Sequence, residues 1–148
     1  MKRHSPSRPN GKNGYRLNEQ VGFLLRVAMQ RHTAIFMSRI PRGLTQTQFA
    51  ALAKLYEVGR CSQNQLGRLI YLDAATTKGV VDRLKARGFV TIGNDAKDRR
   101  RRAIALTERG RATAEAAIKM ARRITRHTLT PLTAAEQKSV IGLLKKLT

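Results

Sequence analysis

Between residues 44 and 88 the chain carries three helix starts in close succession, and no other feature limits its fold as much. Leu44-Thr45-Gln46-Thr47-Gln48-Phe49 has the spacing of a capping box. Thr45 is expected to accept the N–H near Gln48, Gln48 to reach back, and Leu44 to staple onto Phe49. Leu52, Ala53 and Tyr56 continue that apolar stripe until Gly59 stops it. Ser62-Gln63-Asn64-Gln65 repeats the device, with Ser62 as cap, Gln65 as return partner, and Leu66, Leu69 and Ile70 as the buried stripe. Asp73 then caps a third segment, in which Thr77, Val80, Val81 and Leu84 fall at core spacing and Gly88 marks the C-terminal stop. Two short helices joined by a three- or four-residue turn predict a helix-turn-helix.

After Gly88 the period changes to two. Phe89-Val90-Thr91-Ile92 and Arg102-Ala103-Ile104-Ala105-Leu106 read as strands, with the turn signal Gly93-Asn94-Asp95 between them. The tip of this hairpin, Asp95 to Arg102, holds five cations and two acids in eight residues. Four adjacent arginines repel one another, so a solvated loop has no use for them, whereas a narrow minor groove does. Arg102 alternates with the side of Ile104 and Leu106, which predicts partial burial.

The flanks are helical. Val21, Leu24, Leu25, Ala28, His32, Ile35 and Phe36 share one helix face before Pro41 and Gly43. Thr107-Glu108 opens a long Ala-rich helix towards His127, and Pro131 breaks it. Thr133-Ala134-Ala135-Glu136 is a further capping box, ahead of a last helix expected to turn Val140, Ile141, Leu144 and Leu147 inward. Residues 1–16 are basic and almost without apolar side chains, and are expected to form a flexible arm.

Charge narrows the function. Thirty Lys+Arg against nine Asp+Glu leaves +21, which favours a polyanionic partner, nucleic acid before an anionic membrane surface. The helices are already committed to a shared core, which argues against the membrane. No apolar run approaches the ~18–20 residues of a membrane span, and the expected address is cytoplasmic. Cys61 is the only cysteine and His4, His32 and His127 lie far apart, so neither a disulfide framework nor a metal site is expected, and no cofactor. No nucleophile triad, phosphate loop or carboxylate pair marks an enzyme.

At 100° per residue, the face of the Asp73 helix opposite Thr77, Val80, Val81 and Leu84 carries Ala75, Thr76, Lys78, Gly79, Asp82, Arg83 and Ala86. Ala75 and Gly79 let a backbone approach a groove floor, although Gly79 costs about 1 kcal/mol of helix propensity. Thr76 and Lys78 reach base edges or phosphates and Arg83 a phosphate, while Asp82 is expected to anchor a neighbouring Arg. Thr77, at the edge of this face, is counted among the candidate contacts as well as in the core. Ser62, Asn64 and Gln65 at the preceding helix start, and Lys97, Arg99, Arg100 and Arg101 at the hairpin tip, complete the set, with Asp98 holding one guanidinium in position. A sequence-neutral, nucleoid-type basic protein is the alternative that charge alone would also fit.

From Val21 to Leu147 the chain resembles the MarR family of transcriptional regulators. The resemblance is densest over LTQTQFAALAKL, SQNQLGRLIYLDAATTKGVVDRLKARGFV and NDAKDRRRRAIALTERG. The last stretch is similar to the family's wing signature through Asp95, Asp98, Arg99, Arg100, Leu106, Thr107 and Gly110. Ala96 departs from it where the family often has Pro, and Arg102 where it often has an apolar residue. The resemblance implies a mainly α protein with a small β-hairpin wing (α+β), a winged helix-turn-helix with N- and C-terminal dimerisation helices. Residues 17–148 would form one domain, with dimerisation helices at 17–40 and 108–148 and a DNA-binding lobe at 44–107. It further implies a homodimer on a pseudo-palindromic double-stranded operator, most often a repressor, released by a small aromatic carboxylate or its aryl-CoA thioester. Effector candidates are then Arg26, Met29, Gln30, His32, Thr33, Phe36 and Met37 on the first helix, with Phe49, Leu52 and Tyr56 on the second. Arg26 or His32 would hold the carboxylate. Thiol sensing at Cys61 is not expected without a resolving cysteine. The surplus cations of 1–16 and at Arg122, Arg123 and Arg126 would grip flanking DNA or attract a polyanionic effector.

Overall fold

The structure, a computed structural model, describes residues 14–95 and 97–148. Six helices and one hairpin follow in the order α1 (Val21–Arg39), α2 (Gln46–Val58), α3 (Gln63–Leu69), α4 (Ala74–Ala86), β1 (Val90–Asn94), β2 (Arg102–Leu106), α5 (Glu108–Thr128) and α6 (Ala134–Lys145). Most of the arm expected at 1–16 lies outside the described residues. Arg16, at its end, pairs with Glu19 in a single 3₁₀ turn ahead of α1.

The helix starts form largely as the caps dictate. Thr45 Oγ1 accepts the Gln48 N–H at 3.1 Å, and Gln48 Oε1 accepts the Thr45 N–H at 3.2 Å. Thr133 and Glu136 make the same reciprocal pair at the head of α6. At α3 only half the box is built: Ser62 Oγ accepts the Gln65 N–H at 3.1 Å, but the Gln65 side chain makes no return bond and stays exposed. The chain ahead of Ser62 explains the difference. Cys61 is drawn into an antiparallel bridge with Ile104, through Ile104 N–H to Cys61 O at 2.8 Å and Cys61 N–H to Ile104 O at 3.2 Å. The hairpin therefore gains a one-residue third strand, for which a lone cysteine between Arg60 and Ser62 gave no pattern.

β1 and β2 pair antiparallel, with Val90 opposite Leu106 and Asn94 opposite Arg102. Strict alternation fails on β2, where Ala103 and Ile104 are both buried and Arg102 is exposed. Beyond the sheet's buried base there is no core for Arg102 to enter. Of the stripe expected on α3 only Leu66 is fully buried; Ile70 is half-buried and Leu69 is turned to solvent.

The core joins Leu52, Leu55, Leu66, Val81, Leu84, Phe89, Ile104 and Ile124. α1 and α6 contribute little to it: Phe36 is the only buried residue of α1, and α6 buries none. Val21, Leu24, Leu25, Ile141, Leu144 and Leu147 stay exposed and Val140 is half-buried, so most of the inward stripe expected of α6 is left uncovered by the described residues.

Two junctions hold the ends of the long helix. Arg31 of α1 donates to the His127 carbonyl at 3.3 Å and to that of Thr128, capping the open end of α5. At the other end, Thr107 N–H donates to Phe89 O at 3.1 Å, Thr107 Oγ1 to Gly88 O at 2.6 Å, and Thr107 Oγ1 accepts the Gly110 N–H at 2.9 Å. α5 passes so close to this loop that a Cβ on Gly110 would stand 1.8 Å from Phe89 O. Gly110→Ala should therefore lower the stability by about 2–3 kcal/mol through forced displacement of α5, read as a reduced urea midpoint with an unchanged slope.

Candidate nucleic-acid interface and effector grooves

α4 presents the face its sequence implies. Ala75, Thr76, Lys78, Asp82, Arg83 and Ala86 are exposed and Gly79 is half-buried. Thr77 is not part of it. It is 1% exposed, its hydroxyl donates to the Asp73 carbonyl at 2.7 Å, and it presses against Gly67 of α3, where a Cβ would come within 2.7 Å of Thr77 Oγ1. Thr77 is the seam between the two helices and cannot touch DNA in this fold.

The exposed polar groups of α4 are pre-positioned. Asp73 accepts the Thr76 N–H at 2.7 Å and the Thr76 hydroxyl at 2.9 Å. Those two bonds hold the Asp73 carboxyl below its ordinary pKa. Lys78 Nζ meets Asp82 Oδ2 at 2.6 Å, so the partner of Asp82 is Lys78, not an arginine. One turn separates the two on the helix, within reach of a lysine stem. Arg83 folds back over Gly79, its Nη1 lying 3.6 Å from where a Cβ would stand.

The hairpin tip is folded by its acids. Asp95 Oδ1 accepts the Lys97 N–H and Asp98 Oδ1 the Arg100 N–H, each at 3.0 Å. Backbone bonds from Asp95 N–H to Arg101 O at 2.7 Å and from Arg101 N–H to Asp98 O at 3.0 Å close the loop. Asp98 Oδ2 stands 3.7 Å from Arg101 Nε, a loose exposed pair, so its firmer hold is on the backbone. Lys97, Arg99, Arg100 and Arg101 all project into solvent.

Between the tip end of β2 and the head of α3 lies a cleft of about 420 Å³ lined by Ser62, Gln63, Asn64, Arg68, Arg101 and Arg102. It joins Ser62 and Asn64 to the wing. Gln63, Arg68 and Arg102, which the sequence did not single out as contacts, belong with them, and only the fold brings the two segments together.

The effector candidates separate into three places, with His32 apart from all of them. Arg26, Met29, Gln30, Thr33 and Met37 line, with Ala34, an apolar groove of about 460 Å³ along α1. Phe49 and Tyr56 line a second groove of about 610 Å³ between α2 and α5, with Ala53, Glu57, Ile118, Ala121, Arg122 and Thr125. Phe36 and Leu52 are core residues, 4% and 0% exposed, and offer no surface to a ligand. His32 turns to α5, its Nδ1 2.9 Å from Thr128 Oγ1. The α5 lining was hidden in sequence because its residues lie some sixty positions beyond those of α2; an i, i+3, i+4, i+7 stripe at Ile118, Ala121, Arg122 and Thr125 is the signal that could have found it.

Among the described residues no three His, Cys, Asp or Glu side chains gather as metal ligands, and no helix is long and apolar enough to cross a membrane.

A helix-turn-helix followed by an arginine-tipped antiparallel hairpin defines a winged helix-turn-helix protein. Residues 44–101 match the family model described as MarR family. The HTH-type transcriptional repressor NicR of Pseudomonas putida is 42% identical over 95% of this chain and 90% of its own length. A probable transcriptional regulator from Pseudomonas aeruginosa superposes with a TM-score of 0.87 at 50% identity, covering 90% of this chain and all of that one. Bordetella bronchiseptica BpsR, whose DNA binding is regulated by 6-hydroxynicotinic acid, superposes with a TM-score of 0.84 at 42% identity, covering 90% and 96%. The chain belongs to the MarR family of transcriptional regulators.

Cys61 stands apart from all of these surfaces. It is buried, and burial pushes its thiol above the ordinary pKa, so the reactive thiolate is scarce at neutral pH. Ellman's reagent should label folded protein at pH 7 on the order of a hundred times more slowly than urea-unfolded protein; equal rates would show the thiol to be accessible and reactive in the fold.

Proposed function

We propose that this protein is a cytoplasmic, homodimeric repressor that binds a pseudo-palindromic operator and leaves it when an aromatic acid occupies the groove between α2 and α5. The observation that carries the DNA reading is the continuous basic surface formed by α4, the α3 cleft and the wing, on which every acid is already bound to local groups. Two such surfaces, related by a two-fold axis, would seat two α4 helices in successive major grooves ~34 Å apart, with the wings in the flanking minor groove. The exposed apolar faces of α1 and α6 supply the contact between copies.

The groove between α2 and α5 suits the effector. Its volume is in the range of small-molecule sites, Phe49, Tyr56 and Ile118 give an apolar wall, and Arg122 supplies a carboxylate partner. It joins the reading lobe to the long helix, so a ligand that favours a different angle between them changes the half-site spacing. The surplus of cations leaves room for a CoA thioester in place of the free acid.

Fluorescence anisotropy against a duplex selected by the protein from a random pool tests the reading. Affinity should exceed that for random duplex by ~10³ or more; equal affinity would make the protein a sequence-neutral binder. Arg100→Ala should weaken both complexes and lower the salt slope by about 1, leaving the dimer intact by light scattering. Titrating the complex with 6-hydroxynicotinic acid, other aromatic acids and aryl-CoA thioesters identifies the effector class. Arg122→Met should raise the concentration needed for release about tenfold or more without changing DNA affinity.

A further inference from the structure

We propose that Tyr71, in the turn between α3 and α4, is a DNA-backbone contact whose ring lies along a sugar and whose hydroxyl donates to a phosphate oxygen. The inference rests on the reading of α3 and α4 as the DNA-facing pair, and adds a residue that neither the motif nor the charge pattern marks.

The backbone supplies the first observation. α3 ends with Leu72 N–H bonded to Gly67 O at 2.9 Å and Tyr71 N–H to Arg68 O at 3.4 Å. That is the paired closure of a helix end in which the residue after the cap is left-handed, and glycine is the residue suited to it. Here the position is Tyr71, at φ +57°. A bulky L residue is strained there, and persistent strain in a turn calls for a compensating role.

Exposure is the second. Tyr71 is 81% exposed, the most open large apolar or aromatic side chain among the described residues. Its hydroxyl has no hydrogen-bond partner among them. On either side Ile70 and Leu72 pack against the core. The turn is thus pinned at both neighbours and thrusts one aromatic ring outward, an arrangement that gives nothing back to the fold.

Position is the third. In a helix-turn-helix the first helix crosses the phosphate backbone while the second lies in the major groove with its N-terminal residues on the bases. The turn joining them runs from the backbone line to the groove. Tyr71 stands two residues before the Asp73 cap of α4, at that transition, and tyrosine hydroxyls are regular phosphate donors.

The test separates fold from contact. Tyr71→Gly removes the strain and should raise the Tm by about 2–4 °C, while weakening DNA binding about fivefold. The loss should be equal on the selected operator and on random duplex, because a backbone contact carries no sequence. Tyr71→Phe, which keeps ring and strain and removes only the phosphate donor, should lose affinity by a smaller factor, about two- to threefold, and Tyr71→Asn, which tolerates the left-handed backbone, serves if the glycine variant is poorly folded. Nitration of Tyr71 by tetranitromethane should be fast in the free protein and suppressed in the complex. A glycine variant with unchanged affinity, a phenylalanine variant equal to wild type, a loss restricted to certain operator bases, or nitration indifferent to DNA would each overturn the proposal. Wild-type protein that bound no duplex would instead overturn the DNA reading on which it stands.

Discussion

The carbonyl oxygen of Phe89 is the point at which the hairpin and the end of α4 meet the start of α5. It accepts the Thr107 amide across the base of the hairpin and lies against the bare α-carbon of Gly110 as α5 begins. The end of α4, the root of the wing and the start of the long helix therefore meet within one peptide unit. Arg87 braces the same place from the other side. Its guanidinium donates to Gln48 Oε1 at 3.2 Å and to the Arg42 carbonyl, and sits 4.9 Å above the Phe89 ring. A close-packed joint of this kind fixes the orientation of α4 and the wing relative to α5. The Leu-Thr-x-x-Gly end of the wing signature is in this light a packing requirement more than a binding motif.

The acids on the basic face form a second theme. Asp73 caps α4, Asp82 holds Lys78, and Asp95 and Asp98 each accept a backbone amide of the wing tip. A chain of such positive charge has strong self-repulsion, and a loop of arginines is the worst case. Short carboxylates tied to backbone N–H groups give that loop a defined shape. The acids fold the surface and leave the cations of the tip, Lys97, Arg99, Arg100 and Arg101, exposed on it.

Much of this was legible one residue at a time. The caps at Thr45, Ser62, Asp73, Thr107 and Thr133 and the stop at Gly88 are local, because each depends on hydrogen bonds between neighbours in the chain. The failures are of another kind. Thr77 lies on the margin between two helix faces, and only the closeness of Gly67 decides that it is buried. Arg102 obeys strand alternation in sequence and is exposed because the sheet outruns its core. Gln65 has the spacing of a return cap but does not close it, and Asp82 chooses a lysine although arginine was also near. Effector candidates drawn from α1 and α2 scatter over two grooves and the core, since the facing wall comes from α5.

What the chain determined alone is its sequence of elements and the sign of its surface: where helices begin, where the hairpin turns, and that the partner is a polyanion. These follow from capping, periodicity and net charge, which act over a few residues or over the whole composition. What the tertiary structure decided is which side chains face outward together. It paired Cys61 with Ile104, enclosed Thr77, opened the cleft between α3 and the wing, gave Phe49 and Tyr56 their opposite wall at Arg122, and left α1 and α6 bare. Such choices rest on contacts between residues far apart in the chain, where burial is won by shape, and no local pattern records the shape of a distant neighbour.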